Sequence, residues 1–115
     1  MKKIRNLLFL IILLIHPNQT IKAFTGHQNH LQSGKASWYG RKFQNKLMAN
    51  GKRYDMYQLT AANRKLPFGS YIMVTNLRTG RSITVLITDR GPWVKGRALD
   101  LSYAAARRID RKSVV

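Results

Sequence analysis

Two segments of alternating apolar and polar residues, joined by a short turn, most constrain how this chain can fold. In "YIMVTNL" the apolar positions alternate at Ile72 and Val74, and in "SITVLITD" they alternate from Ile83 to Ile87. Such alternation is typical of strands that bury one face. The connecting "NLRTGR" contains Gly80, which suits a left-handed turn position. The sequence therefore predicts a β-hairpin here.

Further short elements surround the predicted hairpin. "KASWYG" is predicted to be a short strand followed by a turn, and a loop is predicted from Asp89 to Gly96. "LDLSYAAARRI" is predicted to be the one clear helix, because Ser102 can cap it and residues 104–109 have high helix propensity. Short strands with a single late helix predict a small β-barrel.

The first 23 residues have the pattern of a secretory signal peptide. Basic residues at positions 2–5 precede an apolar run from Leu7 to Ile15, which is too short to span a bilayer but has the length of a signal-peptide core. We predict cleavage after Ala23, and a buried N-terminal strand or helix is the alternative. Residues 24–33 are then predicted to be a polar linker and residues 34–115 the domain.

The charge balance and the lack of cysteine bear on compartment and partners. The 115 residues include 21 Lys and Arg and 4 acids, which gives a net charge of +17. So basic a chain is expected to bind polyanions, and an exported one is expected to meet an anionic envelope or wall polymer rather than nucleic acid. Without cysteine it is not expected to be a lipoprotein or to form disulfides. We predict a monomer of the periplasm or cell envelope, peripherally associated with the anionic envelope.

Carboxylates are the candidates for chemistry, and all four are aspartates. No histidine lies between Gly34 and Val115, which excludes a histidine-based triad in the domain. No nucleophile elbow, phosphate loop or set of metal ligands occurs in the sequence. His27 and His30 lie in the predicted linker without further ligands nearby, so neither a metal nor a cofactor is expected.

The four aspartates have different contexts. Asp89 ends a predicted strand and begins an Arg-Gly-Pro turn, so it is either a rigidly mounted catalytic group or an Asx-type turn residue. Asp100 precedes the predicted helix and is expected to be structural, by easing the helix start or by bonding to the barrel. Asp110 is expected to be a solvated ion-pair partner. Asp55 follows a glycine turn and is either a second groove carboxylate or a turn residue.

Aromatic residues concentrate near the predicted turns. Such residues either stack on sugar rings or pack against a small core, and the sequence leaves both alternatives open. The residues are Trp38, Tyr39, Tyr54, Phe68 and Trp93.

Six short motifs occur in order between Gly34 and about Arg107: SWYG, LTAA, LPFG, VTNL, DRGP and DLSYAAA. In this order they resemble the rare lipoprotein A family. The resemblance implies a mainly β fold, a six-stranded double-psi β-barrel with one or two short helices. Family members continue past the helix into a further strand where this sequence has "RKSVV", so we expect either a truncated last strand or an imperfectly closed barrel. The resemblance also implies an envelope lyase, a lytic transglycosylase that cleaves peptidoglycan strands endolytically. Such an enzyme prefers strands without stem peptides and leaves 1,6-anhydromuramyl ends.

The resemblance also implies the residues of the site. Asp89 matches the family aspartate of DRGP, and Asp55 matches the aspartate after the glycine turn; both are predicted to be catalytic. One carboxylate can first protonate the glycosidic oxygen and then assist the muramyl 6-hydroxyl in closing the anhydro ring. Substrate contacts are predicted for Asn63, Tyr39, Trp38, Arg90 and Trp93.

Two positions depart from the family pattern. Asn63 stands where the family has a histidine, and Lys52 stands where it commonly has a glutamate. Asparagine can hold a hydrogen bond but cannot exchange a proton at neutral pH. An added cation would lower the pKa of a neighbouring carboxylate and make it a poorer acid. The alternative function is therefore a non-catalytic peptidoglycan-binding or wall-loosening module similar to expansins. A third hypothesis is a basic protein that acts on membranes or nucleic acid through charge alone.

Overall fold

The computed structural model describes residues 7–9, 11–15 and 33–110 of this chain. The strands are β1 Leu7–Phe9, β2 Ile11–Ile15, β3 Gly34–Trp38, β4 Thr60–Ala62, β5 Tyr71–Thr75, β6 Ser82–Asp89 and β7 Arg97–Leu101. A 3-10 helix covers Arg41–Phe43, and the α-helix α1 covers Tyr103–Ile109. The predicted linker histidines, His27 and His30, lie outside the described residues.

All seven described strands belong to one mixed sheet, in the order β1-β3-β7-β4-β6-β5-β2. The pairs β3–β7 and β4–β6 are parallel, whereas β4–β7 and β5–β6 are antiparallel. Five strands come from the predicted domain, and the apolar run of residues 7–15 supplies β1 and β2 at the two edges. Removal of this run as a signal peptide stays a prediction.

The predicted hairpin is formed by β5 and β6. Its pairing runs from Tyr71 opposite Leu86 to Thr75 opposite Ser82. Gly80 in the turn has a φ of 73°, in the left-handed region that favours glycine. The alternating apolar side chains of the hairpin are all in the core: Ile72, Val74, Ile83, Val85 and Ile87.

The helix begins directly after the residue that the sequence predicts as its cap. Ser102 is its N-cap, and the Ser102 hydroxyl accepts a hydrogen bond from the Ala105 amide at 3.2 Å, which confirms the predicted cap. The residues before the cap form β7, a strand that the sequence analysis did not predict, and this segment pairs with β3 on one side and β4 on the other. The helix contributes Ala105, Ala106 and Ile109 to the core. Within the described part of the chain, no helix is long and apolar enough to cross a membrane.

The hairpin turn fixes the end of α1. The Ile109 carbonyl accepts hydrogen bonds from Asn76 Nδ2 at 3.1 Å and from Thr79 Oγ1 at 2.7 Å. Asp110, the C-terminal cap residue, forms an ion pair with Arg78. The ion pair agrees with the sequence prediction, but Asp110 is buried rather than solvated, because it lies between the helix end and the turn.

Candidate active site

Asp89 is the last residue of β6, and two backbone amides fix its carboxylate. Its Oδ1 accepts hydrogen bonds from the Ala49 amide at 2.9 Å and from the Arg90 amide at 2.8 Å. Among the described residues, no donor is bonded to Oδ2, and the side chain is half-buried. The Arg90 contact is an Asx-type turn contact, yet it occupies one oxygen only. The turn alternative and the catalytic alternative for Asp89 are therefore compatible.

A loop of residues 45–54 brings Ala49 to Asp89. The next amide along the loop, that of Asn50, donates to the carbonyl of the residue before Asp89 at 3.3 Å. The loop tip thus lies against the end of β6 through two hydrogen bonds. Lys52 is exposed at this tip, where the family commonly has a glutamate.

Asp89 and Asp100 lie on the two strands that flank β4, at positions that pair with the same residue. Ala62 of β4 pairs with Asp89 of β6 and with Asp100 of β7. The β4–β6 register shifts just before Ala62, and such a bulge re-aims the side chains that follow it. Because neighbouring strands are about 4.8 Å apart, the two aspartate Cα atoms are about 10 Å apart. Asp100 accepts a hydrogen bond from Ser37 Oγ on β3, so of its two predicted structural roles, bonding to the barrel is confirmed.

Tyr39 follows β3 and lies near both carboxylates. Its backbone amide donates a hydrogen bond to the Leu101 carbonyl at 2.9 Å, which keeps Tyr39 beside β7. Burial raises the pKa of Tyr39 well above its usual value near 10, and the charges of Asp100 and Asp89 raise that pKa further. Tyr39 therefore stays a neutral hydrogen-bonding group at any pH near neutral. Its ring packs against Phe43 and Tyr54, with centroid distances of 5.0 and 5.6 Å.

Trp93 projects from the loop that follows Asp89, and its side chain is 76% exposed. A Cβ atom on Gly91 would lie 3.7 Å from the Trp93 indole nitrogen and 3.9 Å from Asp100 Oδ2. Both groups therefore lie beside this turn, where the φ of 120° at Gly91 favours glycine. An exposed indole beside this turn is suited to stacking on a sugar ring.

Asn63 is engaged within its own loop. Its Oδ1 accepts hydrogen bonds from the amides of Lys65 and Leu66, each at 2.9 Å. Its Nδ2 donates to the Ala98 carbonyl at 3.1 Å. The side chain predicted to bind substrate therefore closes a turn and ties that turn to β7.

Arg90 is also engaged within the protein. Its Nη1 donates to the carbonyls of Asn63 at 3.2 Å and Leu66 at 2.9 Å. Arg90 thus helps to hold the backbone next to Asp89, and a substrate contact by Arg90 stays a prediction.

Trp38, another predicted substrate contact, lies in the hydrophobic core with 7% of its surface exposed. Its ring packs against Tyr103 with a centroid distance of 5.7 Å. A side chain this buried cannot present a face to a sugar without a change of fold. Among the five predicted substrate contacts, Tyr39 lies near both carboxylates, and Trp93 lies beside the Gly91 turn next to Asp100.

Asp55 is held by its own turn. Its Oδ1 accepts hydrogen bonds from the Tyr57 amide at 3.0 Å and from Gln44 Nε2 at 3.4 Å. These bonds support the turn-residue alternative, and a catalytic role for Asp55 stays a prediction. In the part of the chain that the structure describes, no group of three or more potential metal ligands is formed.

Arg64 is a site residue that the sequence analysis missed. Its Nη1 donates to the carbonyls of Pro92 and Arg97, both at 2.8 Å, so it clamps both ends of the loop that carries Trp93. No local pattern marks this contact, since the partners lie 28 and 33 residues away in the sequence.

Comparison with known proteins agrees with this geometry. A family model described as lytic transglycolase, a double-psi β-barrel domain, matches residues 31–114 and confirms the predicted fold class. The chain is 56% identical over 78 residues to the endolytic peptidoglycan transglycosylase RlpA of Vibrio cholerae, a match that covers 68% of this chain and 30% of that protein. The protein of the same name from Pseudomonas aeruginosa is 51% identical over 76 residues, which is 66% of this chain and 22% of the relative.

A further relative extends the matched region. The protein of that name from Neisseria meningitidis serogroup A is 42% identical over 93 residues, which is 81% of this chain and 36% of the relative. The chain thus spans between 22% and 36% of the length of these three relatives.

Proposed function

From the premise that this chain belongs to the lytic transglycolase family, we propose that it cleaves peptidoglycan glycan strands as an endolytic lytic transglycosylase. The observation that carries the proposal is the carboxylate of Asp89. Two backbone amides anchor Oδ1, while Oδ2 has no donor among the described residues. A carboxylate held in this way at a strand end is positioned for proton transfer. The relatives that match this domain are named for the same reaction.

The proposed mechanism uses Asp89 twice. As an acid, Asp89 gives its proton to the glycosidic oxygen that links the muramyl C1 to the next sugar, and the C1–O bond breaks. As a base, the resulting carboxylate takes the proton of the muramyl 6-hydroxyl while that oxygen bonds to C1. The products are a shortened strand with a new 4-hydroxyl and a strand with a 1,6-anhydromuramyl end, so no water is consumed. One carboxylate suffices because it is regenerated in its protonated form.

Substrate binding is proposed to use the groups that lie beside the carboxylates. Trp93 offers an exposed ring for stacking, and Tyr39 offers a hydroxyl near Asp100 and Asp89. The net charge of +17 supports association with an anionic envelope. The family resemblance supports a preference for strands without stem peptides and action in the cell envelope. The basic and apolar pattern of residues 1–23 supports export through a signal peptide, and the proposed form is a monomer.

A non-catalytic glycan-binding module is the second candidate, and Asn63 is the observation that favours it. Its side chain is committed to its own loop and cannot exchange a proton. The site then depends on carboxylates alone. A binding module would retain stacking and hydrogen bonding to glycan but release no product.

The decisive experiment is mass spectrometry of peptidoglycan sacculi after incubation with the purified protein. Sacculi are used intact and after amidase treatment, and Asp89→Asn serves as the matched control. The proposal expects anhydromuramyl products from the amidase-treated sacculi with the parent protein only. Binding to glycan without product from the parent would favour the module. An affinity that falls as the salt concentration rises, and that is the same for any anionic polymer, would favour a protein acting through charge alone.

A further inference from the structure

We propose that Arg64 is a positioning residue for substrate binding, and that it holds the loop of residues 92–97 so that Trp93 presents its indole to a sugar ring. The inference rests on the proposed function for the ligand, a peptidoglycan glycan strand. It deepens that function by naming the side chain that orders the stacking surface before the strand binds.

Arg64 joins the two ends of this loop through one nitrogen atom. Its Nη1 donates to the carbonyls of Pro92 and Arg97, both at 2.8 Å. Each terminal guanidinium nitrogen has two N–H groups, so both bonds can form at once. Because the two bonds share one donor atom, the two carbonyl oxygens lie no further apart than twice that distance. The segment that contains Trp93 is therefore closed into a ring by a side chain from outside the loop.

Exposure leaves the loop weakly held by packing. Trp93 is 76% exposed, and the three residues that follow it are exposed as well. A Cβ atom on Gly96 would meet no atom within 4 Å, so the loop runs through open space. The Arg97 amide donates to the Val94 carbonyl at 3.2 Å, which closes a turn that does not include Trp93. The bond from Arg64 to the carbonyl of the preceding residue therefore fixes the part of the loop that this turn leaves out.

The residue before Arg64 is anchored to the candidate acid. The Asn63 amide donates to the Asp89 carbonyl at 3.1 Å, and Asn63 Nδ2 donates to the Ala98 carbonyl at 3.1 Å. Arg90 Nη1 donates to the Asn63 carbonyl at 3.2 Å. Arg64 thus extends from a turn that is bonded both to the backbone of Asp89 and to the strand that follows the loop. Its clamp fixes the exposed indole to the same framework as the carboxylate.

An indole that is ordered in advance lowers the cost of binding. A strand that stacked on a mobile loop would have to order the loop first, and this cost would appear as a weaker affinity. The bond-breaking step at Asp89 follows once the strand is bound. Loss of the Arg64 clamp is therefore expected to raise the dissociation constant and KM more than it lowers kcat.

Two other roles for Arg64 make different predictions. If the clamp only stabilises the fold, its loss lowers the melting temperature and leaves the affinity for glycan unchanged. If the guanidinium only attracts an anionic polymer, the loss of another cation from the same turn has the same effect. Lys65 is the next residue, and its side chain is exposed. Lys65→Met is therefore the matched control for the loss of one charge.

The test uses Arg64→Met, Trp93→Ala and the double variant, with Lys65→Met as control. Methionine keeps an unbranched side chain and removes both the charge and the two hydrogen bonds. The dissociation constant for amidase-treated glycan strands, and kcat and KM for anhydromuramyl release, are measured for each protein. We expect the dissociation constant to rise about tenfold in Trp93→Ala and about fivefold in Arg64→Met, with kcat of the latter within about twofold of the parent. The double variant should match Trp93→Ala, and the control should match the parent.

Backbone order parameters of residues 93–96, measured by NMR relaxation without glycan, report the positioning directly. We expect values near about 0.85 in the parent, as in a rigid backbone, and below about 0.6 in Arg64→Met. Lys65→Met should match the parent. Unchanged order parameters in Arg64→Met would overturn the inference even if the affinity for glycan fell.

The outcomes distinguish this inference from the proposed function. Unchanged affinity in Arg64→Met, with cleavage by the parent intact, would overturn the inference alone. Additive effects in the double variant, or an equal loss of affinity in Lys65→Met, would refute action through Trp93. A parent that binds without cleaving would defeat the proposed function, while a fivefold loss of binding in Arg64→Met that disappears in the Trp93→Ala background would still uphold the inference. A parent that neither binds nor cleaves would overturn both. Should Arg64→Met fail to fold, Arg64→Gln, whose shorter amide cannot reach both carbonyls, replaces it with the same expectations.

Discussion

The guanidinium carbon of Arg90 lies 3.8 Å from the centre of the Phe68 ring. The same guanidinium donates to two carbonyls of the preceding loop, those of Asn63 and Leu66. The residue that follows Asp89 is thus fixed by a cation–π contact and by two hydrogen bonds at once. The position of the candidate acid therefore depends on the contacts of the neighbouring Arg90 side chain.

Arg90→Lys is expected to lower the free energy of unfolding by on the order of 2 kcal/mol. An ammonium group cannot bond to both carbonyls while lying flat on the Phe68 ring, as the planar guanidinium does. Urea denaturation of the parent and the variant measures the effect, and Arg81→Lys on the exposed hairpin turn is the control. Unchanged stability combined with weaker glycan binding would return Arg90 to the predicted set of substrate contacts.

Asp89→Asn is expected to lower anhydromuramyl release at least about 100-fold, as the loss of a general acid–base group typically does. The melting temperature should stay close to that of the parent, because the amide Oδ1 can still accept from Ala49 and Arg90. Asp55→Asn is the matched control, since its Oδ1 can keep the turn bond from Tyr57. We expect this control to remain within a few-fold of the parent rate. Parental turnover by Asp89→Asn would refute the catalytic assignment, and a comparable loss in Asp55→Asn would support the predicted pair.

Asn63→His tests whether the family histidine transfers a proton or positions its loop. A neutral imidazole accepts through one nitrogen, so it cannot replace both bonds from Lys65 and Leu66 in full. We expect the free energy of unfolding to fall by on the order of 1 kcal/mol and the cleavage rate to change by less than about tenfold. Initial rates of anhydromuramyl release from amidase-treated sacculi measure the change in cleavage rate. A larger gain in rate would identify the histidine as a proton-transfer group and the parent as a weakened enzyme.

Tyr54 is expected to make the fold sensitive to alkali. Burial raises the pKa of Tyr54 from 10.0 to about 12 in the folded protein, with the charge of Asp55 as a smaller cause in the same direction. The unfolded chain therefore loses this proton first, and the free energy of unfolding falls as pH rises from about 10 to about 12. Below pH 10 the phenol has its proton in both states and contributes no pH dependence.

Denaturant unfolding between pH 9 and pH 12, at values roughly one unit apart, measures this dependence through the linkage relation. In Tyr54→Phe the free energy of unfolding should fall less steeply with pH than in the parent. Part of the fall should remain, because the raised pKa of Tyr39 acts in the same direction. Tyr71→Phe, on the exposed side of the hairpin, is expected to decline as steeply as the parent. Equal slopes in the parent and Tyr54→Phe would contradict the assignment.

Local patterns predicted the parts of the fold that local interactions decide. The β5–β6 hairpin and the Ser102 cap depend on residues within a few positions of each other, and both are present as predicted. Strand β7 was not predicted, because the sequence does not show that β3 and β4 flank this segment. The Ser37–Asp100 bond joins residues 63 positions apart, which is why Asp100 was assigned to the helix start or the barrel without a defined partner. Whether an aromatic residue near a turn is buried or exposed likewise depends on how the strands pack together, which the local sequence does not show.

The contrast between Trp38 and Trp93 has an optical consequence. They are the two tryptophans of the whole chain, one in the core and one on the loop beside the carboxylates. A buried indole emits at shorter wavelength and is shielded from iodide, whereas an exposed indole emits at longer wavelength and is quenched. Glycan that stacks on the loop would shift and protect the long-wavelength emission alone, and loss of the core would shift the short-wavelength emission alone. One unlabelled sample therefore carries separate fluorescence signals for occupancy and for unfolding.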